Sequence, residues 1–212
     1  MDITQNKNVE ERDLNQHYEV LQKLGDCYTS VGNYPDAQKC YEDAAPLAPD
    51  APGPYVGLGV IALQKNLLED AEIAFRVACR LDQNCAKAYC GLAMVHQQRQ
   101  DYAQACEMYF KCLDLDSNNM TALLGLFQTS CQMKSFAKIS HYLEVYLNMH
   151  PADTSVMFSL ASLYMKEDRF EQSKKILLDV LTFDPANKDA ANLLEEVEHS
   201  LAQKQQIGIE MI

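Results

Sequence analysis

Hydrophobic positions in this chain recur three and four residues apart, the spacing that gathers side chains on one face of an α-helix. Leu21, Leu24 and Tyr28 mark one such stripe, and Ala37, Tyr41 and Ala44 the next. The two stripes and the polar gap between them then return, in phase, along the chain. Residues 18–51, 52–85, 86–119, 120–153 and 154–187 form five blocks of 34 residues with no insertion or deletion. A sixth block begins at Lys188 and is about half as long.

The columns of this alignment carry a mechanical logic. The seventh position is Leu in every block: Leu24, Leu58, Leu92, Leu126 and Leu160. The fourth is large (Leu21, Tyr55, Tyr89, Leu123, Met157), and so is the twenty-fourth (Tyr41, Phe75, Tyr109, Leu143, Leu177). The eighth and twentieth are mostly small, as in Gly25, Gly59, Ala93, Ala161 and Ala37, Ala71, Ala105, Ser173. Small residues let two helices approach, and the large residue fills the space beside them. Pro49, Pro151 and Pro185 at position thirty-two follow the second helix, which proline cannot continue. The pattern predicts first helices near 18–31, 52–65, 86–99, 120–133 and 154–167. Second helices follow near 35–48, 68–81, 102–115, 136–149 and 170–183. Each hairpin leaves an apolar face that the next must cover.

This large–Leu–small, small, aromatic, Pro pattern at a constant period resembles the tetratricopeptide repeat family over residues 18–187. The resemblance implies an all-α fold: a right-handed α-solenoid of five helix–turn–helix repeats. A capping helix from Lys188 to about Gln205 follows, with Leu193, Leu194, Val197 and Leu201 inward and Glu195, Glu196 and Glu198 toward water. The short apolar tail to Ile212 completes a third segment, 188–212, and residues 1–17 form a loose tail or a short capping helix. Repeat four departs from the pattern with Phe127, Ile139 and Tyr146 at normally small positions. These three enlarged residues predict that its helices lie farther apart or cross at a different angle.

Composition narrows the function. The net charge of −12 disfavours nucleic acid, and no basic cluster reverses it locally. The longest apolar run, Tyr55 to Leu63, is too short to span a bilayer, and the opening residues do not read as a secretion signal. A cytoplasmic protein with no membrane insertion is the expectation. The eight cysteines show no C-x-x-C spacing and lie mostly in helical apolar patterns, so they read as packing residues in a reducing compartment. The five histidines form no metal-ligand spacing, and His96 at position eleven reads as a core or half-buried residue. Gly57-x-Gly59 lies within a helix, where close packing explains it. No nucleophile–base constellation is present, so neither catalysis nor a cofactor is expected.

The family resemblance implies a concave face built from the second, fifth, ninth and twelfth positions of the first helices. Its partner-binding residues are then Val56, Val60, Leu63, Lys87, Cys90, Met94, Gln97, Leu124, Gln128, Phe158 and Met165. That strip is mostly apolar from repeat two onward and polar and acidic in repeat one, where Glu19, Gln22, Asp26 and Thr29 stand. It predicts an adaptor or scaffold that takes a protein or peptide segment with apolar anchors. Of the Lys, Arg and Asn set with which some family members grip chaperone carboxylates, only Lys87 is present. Two alternatives stand beside the adaptor. One is the recognition arm of a larger enzyme, such as a glycosyltransferase. The other is a scaffold that assembles with its own copies as a homo-oligomer, through its C-terminal tail or a convex face.

Overall fold

The structure is a computed structural model that describes residues 3–210 except 135 and 137, and the side chains of 14–204 outside those two. Among the described residues there are eleven α-helices and no strand. In chain order they are α1 (Ile3–Ser30), α2 (Tyr34–Ala44), α3 (Gly53–Gln64), α4 (Leu68–Leu81), α5 (Ala86–Gln98), α6 (Tyr102–Leu115), α7 (Met120–Met133), α8 (Ile139–Met149), α9 (Thr154–Lys166), α10 (Phe170–Phe183) and α11 (Lys188–Glu210). The chain falls into two compact units, Met1–Thr129 and Ser130–Ile212, with the division inside α7. Phe127 belongs to the first unit, and Ile139 and Tyr146 to the second.

Among the helix limits that depart from the sequence reading, α8 begins at Ile139 rather than near 136 and α11 runs to Glu210 rather than about Gln205, and two others have a local reason. The first helix starts at Ile3 rather than near residue 18, so the segment expected as a loose tail or a short capping helix is, from Ile3 on, continuous with α1. No glycine or proline precedes Gly25, and nothing in that stretch stops a helix. The second helix ends at Ala44, four residues early, because Pro46 has no N–H to donate and its ring obstructs the preceding turn.

In the first unit α1 packs on α2, α3 on α4 and α5 on α6, and each hairpin packs on the next. The turns inside the hairpins share one device among the described residues. Position fifteen of each block is left-handed: Gly32 (φ 77°), Asn66 (59°), Gln100 (62°), Lys134 (52°) and Asp168 (58°). The following amide then reaches back to a carbonyl of the last helical turn. Asn33 donates to Tyr28, Leu67 to Ala62, Asp101 to His96 and Arg169 to Tyr164, at 2.8–2.9 Å. This pairs carbonyls that a helix end leaves without partners. Only Gly32 adopts the conformation without steric cost.

Spacing between successive hairpins is set by aromatic rings seated on glycine. A Cβ built on Gly25 would lie 2.6 Å from the Tyr41 ring, and one on Gly57 would lie 2.3 Å from it. Phe75 is held the same way between Gly59 (2.7 Å) and Gly91 (2.3 Å), and Tyr109 presses on Gly125 (2.3 Å). All three rings are 0–1% exposed. The large residue at position twenty-four therefore contacts position eight of its own repeat and position six of the next. Position seven closes the seam: Leu92 packs with Ala71 and Phe75 of the preceding hairpin and is 5% exposed. Leu24, in the α1–α2 hairpin, is 40% exposed.

In the second unit α9 packs on α8 and α10, and α10 on α11. Ser173 takes the small position of α10, and its hydroxyl donates to the carbonyl of Ala161 on α9 at 2.8 Å. The Tyr164 hydroxyl bonds Glu144, while the Arg169 guanidinium lies 3.9 Å from the centroid of the Tyr164 ring. On α11, Ala190 and Val197 are fully buried, and Leu193, Leu194 and Leu201 pack against Met157, Phe170, Leu177 and Val180. Glu195, Glu196 and Glu198 face water. The side chains of the apolar tail lie outside the described residues, as does any cover it would give to another face.

Candidate functional site

Two recesses open on the first helices of the first unit. The first, of about 460 Å³, is walled by Gln22, Asp26 and Thr29 of α1, by Gly53, Val56 and Val60 of α3, and by Lys87 of α5. Tyr41 of α2 reaches through from behind. Its ring passes between Gly25 and Gly57, which puts the hydroxyl at the recess floor. There it donates to Asp26 Oδ1 at 2.8 Å and lies 3.2 Å from Thr29 Oγ1. Burial holds the Tyr41 phenol far above its usual range, so it remains a donor and fixes the carboxylate. Gln22 Nε2 donates to the same Asp26 oxygen at 3.2 Å. The opposite end of that amide, Gln22 Oε1, is buried without a hydrogen-bond partner. Lys87 is exposed on the far wall, so the recess carries a negative and a positive edge across the apolar pair Val56 and Val60.

The second recess, of about 500 Å³, lies between α5 and α7. Met94 and Leu124 supply its apolar surface, and Gln97, Gln98, Thr121 and Gln128 its polar one. Tyr109 of α6 again reaches the floor from behind, here across Gly125, and donates to Gln97 Oε1 at 2.6 Å. Gln97 Nε2 in turn donates to Gln128 Oε1 at 3.4 Å. The result is a hydrogen-bonded chain from Tyr109 through Gln97 to Gln128 along the recess.

The sequence-derived face divides three ways. Val56, Val60 and Lys87 line the first recess, and Met94, Gln97, Leu124 and Gln128 line the second. Leu63 and Cys90 are corrections: at 5% and 7% exposed they belong to the packed interior and support the wall from within. Phe158 and Met165, in the second unit, are half-buried against the cluster of Met157, Leu177 and Val180. In the second recess the glutamine amides of Gln97, Gln98 and Gln128 stand beside Met94 and Leu124. The sequence reading left out Tyr41 and Tyr109 as functional residues. The available signal was glycine at position six of three successive repeats, Gly57, Gly91 and Gly125, the clearance through which a tyrosine can pass.

Among the described residues no helix is long and apolar enough to cross a membrane. His96 is half-buried, with Nδ1 at 3.7 Å from Asp101 Oδ2.

Comparison with known proteins follows the same architecture. Tetratricopeptide repeat family models match residues 23–84, 86–119 and 154–187, leaving repeat four (120–153) outside. The human protein O-mannosyl-transferase TMTC3 is 27% identical over 143 residues, 66% of this chain and 16% of its own length. The type IV pilus assembly protein PilF of Pseudomonas aeruginosa is 27% identical over 159 residues, 57% of this chain and 62% of its own. The chain thus spans a sixth and three fifths of these two curated relatives. A structure of the Pseudomonas aeruginosa PilF superposes with a TM-score of 0.70 at 19% identity, covering 94% of this chain and 92% of that one. The first tetratricopeptide domain of Spaghetti (RPAP3), bound to the HSP90 peptide SRMEEVD, superposes with a TM-score of 0.51 at 25% identity. It covers 57% of this chain and 95% of that one. This fold supports a scaffold role in protein–protein interaction. With the matched models covering well over half of its residues in the same period, the chain belongs to the tetratricopeptide repeat family.

Proposed function

We propose that the chain is an adaptor whose first helices hold a segment of a partner protein across the two recesses of the first unit. The observation that carries this reading is the sharing of α5: Lys87 contributes to the first recess, and Met94, Gln97 and Gln98 to the second. One extended segment can therefore engage both. Val56, Val60, Met94 and Leu124 take its apolar anchors. The amides of Gln97 and Gln128 pair with peptide groups, which keeps recognition tolerant of sequence. Asp26 and Lys87 set direction by choosing the charges at the segment's end. The peptide bound by the Spaghetti domain is a precedent for this mode of use in a related fold.

Its test is affinity capture with the intact chain beside a V60E/M94E variant, both checked for helicity by circular dichroism. The adaptor reading expects a protein that the intact chain retains and the folded variant loses. Equal retention by both moves the working surface elsewhere.

A second reading has one specific observation behind it, the similarity to part of an O-mannosyl-transferase. In it the chain is the recognition arm of a larger enzyme, and the same recesses choose the acceptor protein. A longer reading frame with a catalytic domain decides for it. Self-assembly is separated from both by sizing at several concentrations, because association follows mass action.

A further inference from the structure

On α5, Tyr89 and Leu92 leave the helix about 170° round from Lys87, Met94 and Gln98. They open on a third recess, of about 480 Å³, set between α4, α5 and α6 on the side of α5 away from the two just described. Its floor is apolar: Leu92 is buried, and Cys79 and Met108 are half-buried. Burial pushes the Cys79 thiol up to about 11, so the floor carries no charge. Tyr89 forms one wall, with the Lys111 ammonium 5.9 Å from its ring centroid.

The rim holds three cations, Arg76, Arg80 and Lys111. Two are already engaged. Arg76 is clamped by Glu72 at 2.7 Å, a carboxylate that also takes Arg99, and Lys111 pairs with Glu107 at 3.3 Å while staying half exposed. Asp82 is another nearby carboxylate, and its Oδ1 accepts the backbone N–H of Asn84. Arg80, in the last turn of α4, is exposed and has no carboxylate partner among the described residues. Arg80 thus presents an unpaired guanidinium beside an apolar floor.

We propose that this recess is a second docking site, which takes an acidic segment of a partner protein. An apolar side chain fills the floor over Leu92 and Met108, and flanking carboxylates bond Arg80 and Lys111. Arginine suits this role because its fork pairs with a carboxylate through two parallel bonds. A polyphosphate ligand fits less well: the floor is apolar, two of the three rim cations are already paired with Glu72 and Glu107, and the chain bears a charge of −12. That net charge does not forbid an acidic peptide, since exposed charges beyond about 8 Å are screened at physiological ionic strength. The site is independent of the adaptor face, so each can fail without the other.

The test uses the full chain, isotope-labelled for NMR, with the blocked peptide Glu-Glu-Leu-Glu-Glu as the probe and Gln-Gln-Leu-Gln-Gln as its neutral control. The acidic peptide is expected to move the amides of Cys79, Arg80, Tyr89 and Lys111, more weakly as salt is raised. R80E/K111E removes both contacts and is expected to weaken it by about tenfold or more. R80Q serves if the double variant does not fold. K39E, which changes the net charge equally per site but lies on α2, is expected to bind as the wild type does. The proposal is overturned if the neutral peptide moves the same amides equally, if K39E weakens binding as much as R80Q, or if the shifts map elsewhere. Inorganic phosphate that reproduces the peptide's shifts at equal ionic strength overturns it too.

Discussion

Replacing Gly91 with alanine sets two well-understood effects against each other. Alanine is the better helix former by about 1 kcal/mol, and Gly91 sits inside α5, so propensity alone predicts stabilisation. Packing opposes it. The new methyl carbon would lie 2.3 Å from Phe75 Cε1, 2.4 Å from Cζ and 2.6 Å from Cδ1. Carbon atoms rest at about 3.5–4.0 Å, so the ring would have to withdraw by roughly 1.2 Å or more. It has nowhere to go, being fully buried among Ala62, Leu63, Ala71, Leu92 and Val95. Overpacking of this kind costs about 1–3 kcal/mol, and contact with three ring atoms at once places this case at the upper end. The net expectation for Gly91→Ala is a loss of about 2 kcal/mol, read as a lower urea midpoint by far-UV circular dichroism. Phe75→Leu should relieve the clash, so the double variant should lose about 1–2 kcal/mol less than the sum of the single changes. If Gly91→Ala is as stable as the parent, or if the two changes simply add, the wedge argument is wrong.

Three further outcomes test other features. Gln100→Gly should stabilise by a few tenths to about 1 kcal/mol, because relief of a left-handed residue exceeds the added freedom of the unfolded chain; an equal or lower melting temperature counts against that. Leu92→Ala should cost about 2–5 kcal/mol and Leu24→Ala under about 1, since one leucine is sealed between hairpins and the other is 40% exposed; similar losses would mean that Leu24 is covered in solution. Glu72 is held below the usual carboxylate range by its hydrogen bonds to Arg99 and then Arg76. Its contribution is therefore present above about pH 4.3 and is lost as pH falls through the lower folded value. The stability gap between the wild type and Glu72→Gln should shrink on acidification, and a gap that widens contradicts the pairing.

The helical period was legible because it rests on side-chain size, which sequence states directly. Leu at position seven and small residues at positions eight and twenty recur wherever two hairpins must meet. The turns were less legible. Gly32, Asn66 and Asp168 are residue types that tolerate the left-handed region, but Gln100 and Lys134 are not, so the shared conformation of position fifteen left no common letter. Pro46 was visible, yet the expectation of a repeat-length second helix outweighed it. In the candidate site, a column of positions says which side of a helix is turned toward the face, not how deep each residue sits. Leu63 shares position twelve with Gln97, and Cys90 shares position five with Val56, yet both lie in the interior. The tyrosine hydroxyls come from the second helices, and only the packing that threads them past glycine reveals where they emerge.

The ring-on-glycine seam also bears on how the molecule comes apart. Tyr41, Phe75 and Tyr109 each need the following repeat's first helix to complete their burial, so opening one hairpin strips cover from its neighbour. Past repeat three the rivet is gone: Leu143 stands where the aromatic would be, and Ser159 where the glycine would be. Fraying there carries a smaller penalty, which makes the second unit the place where amide protons should exchange first and where a protease should find its earliest cut.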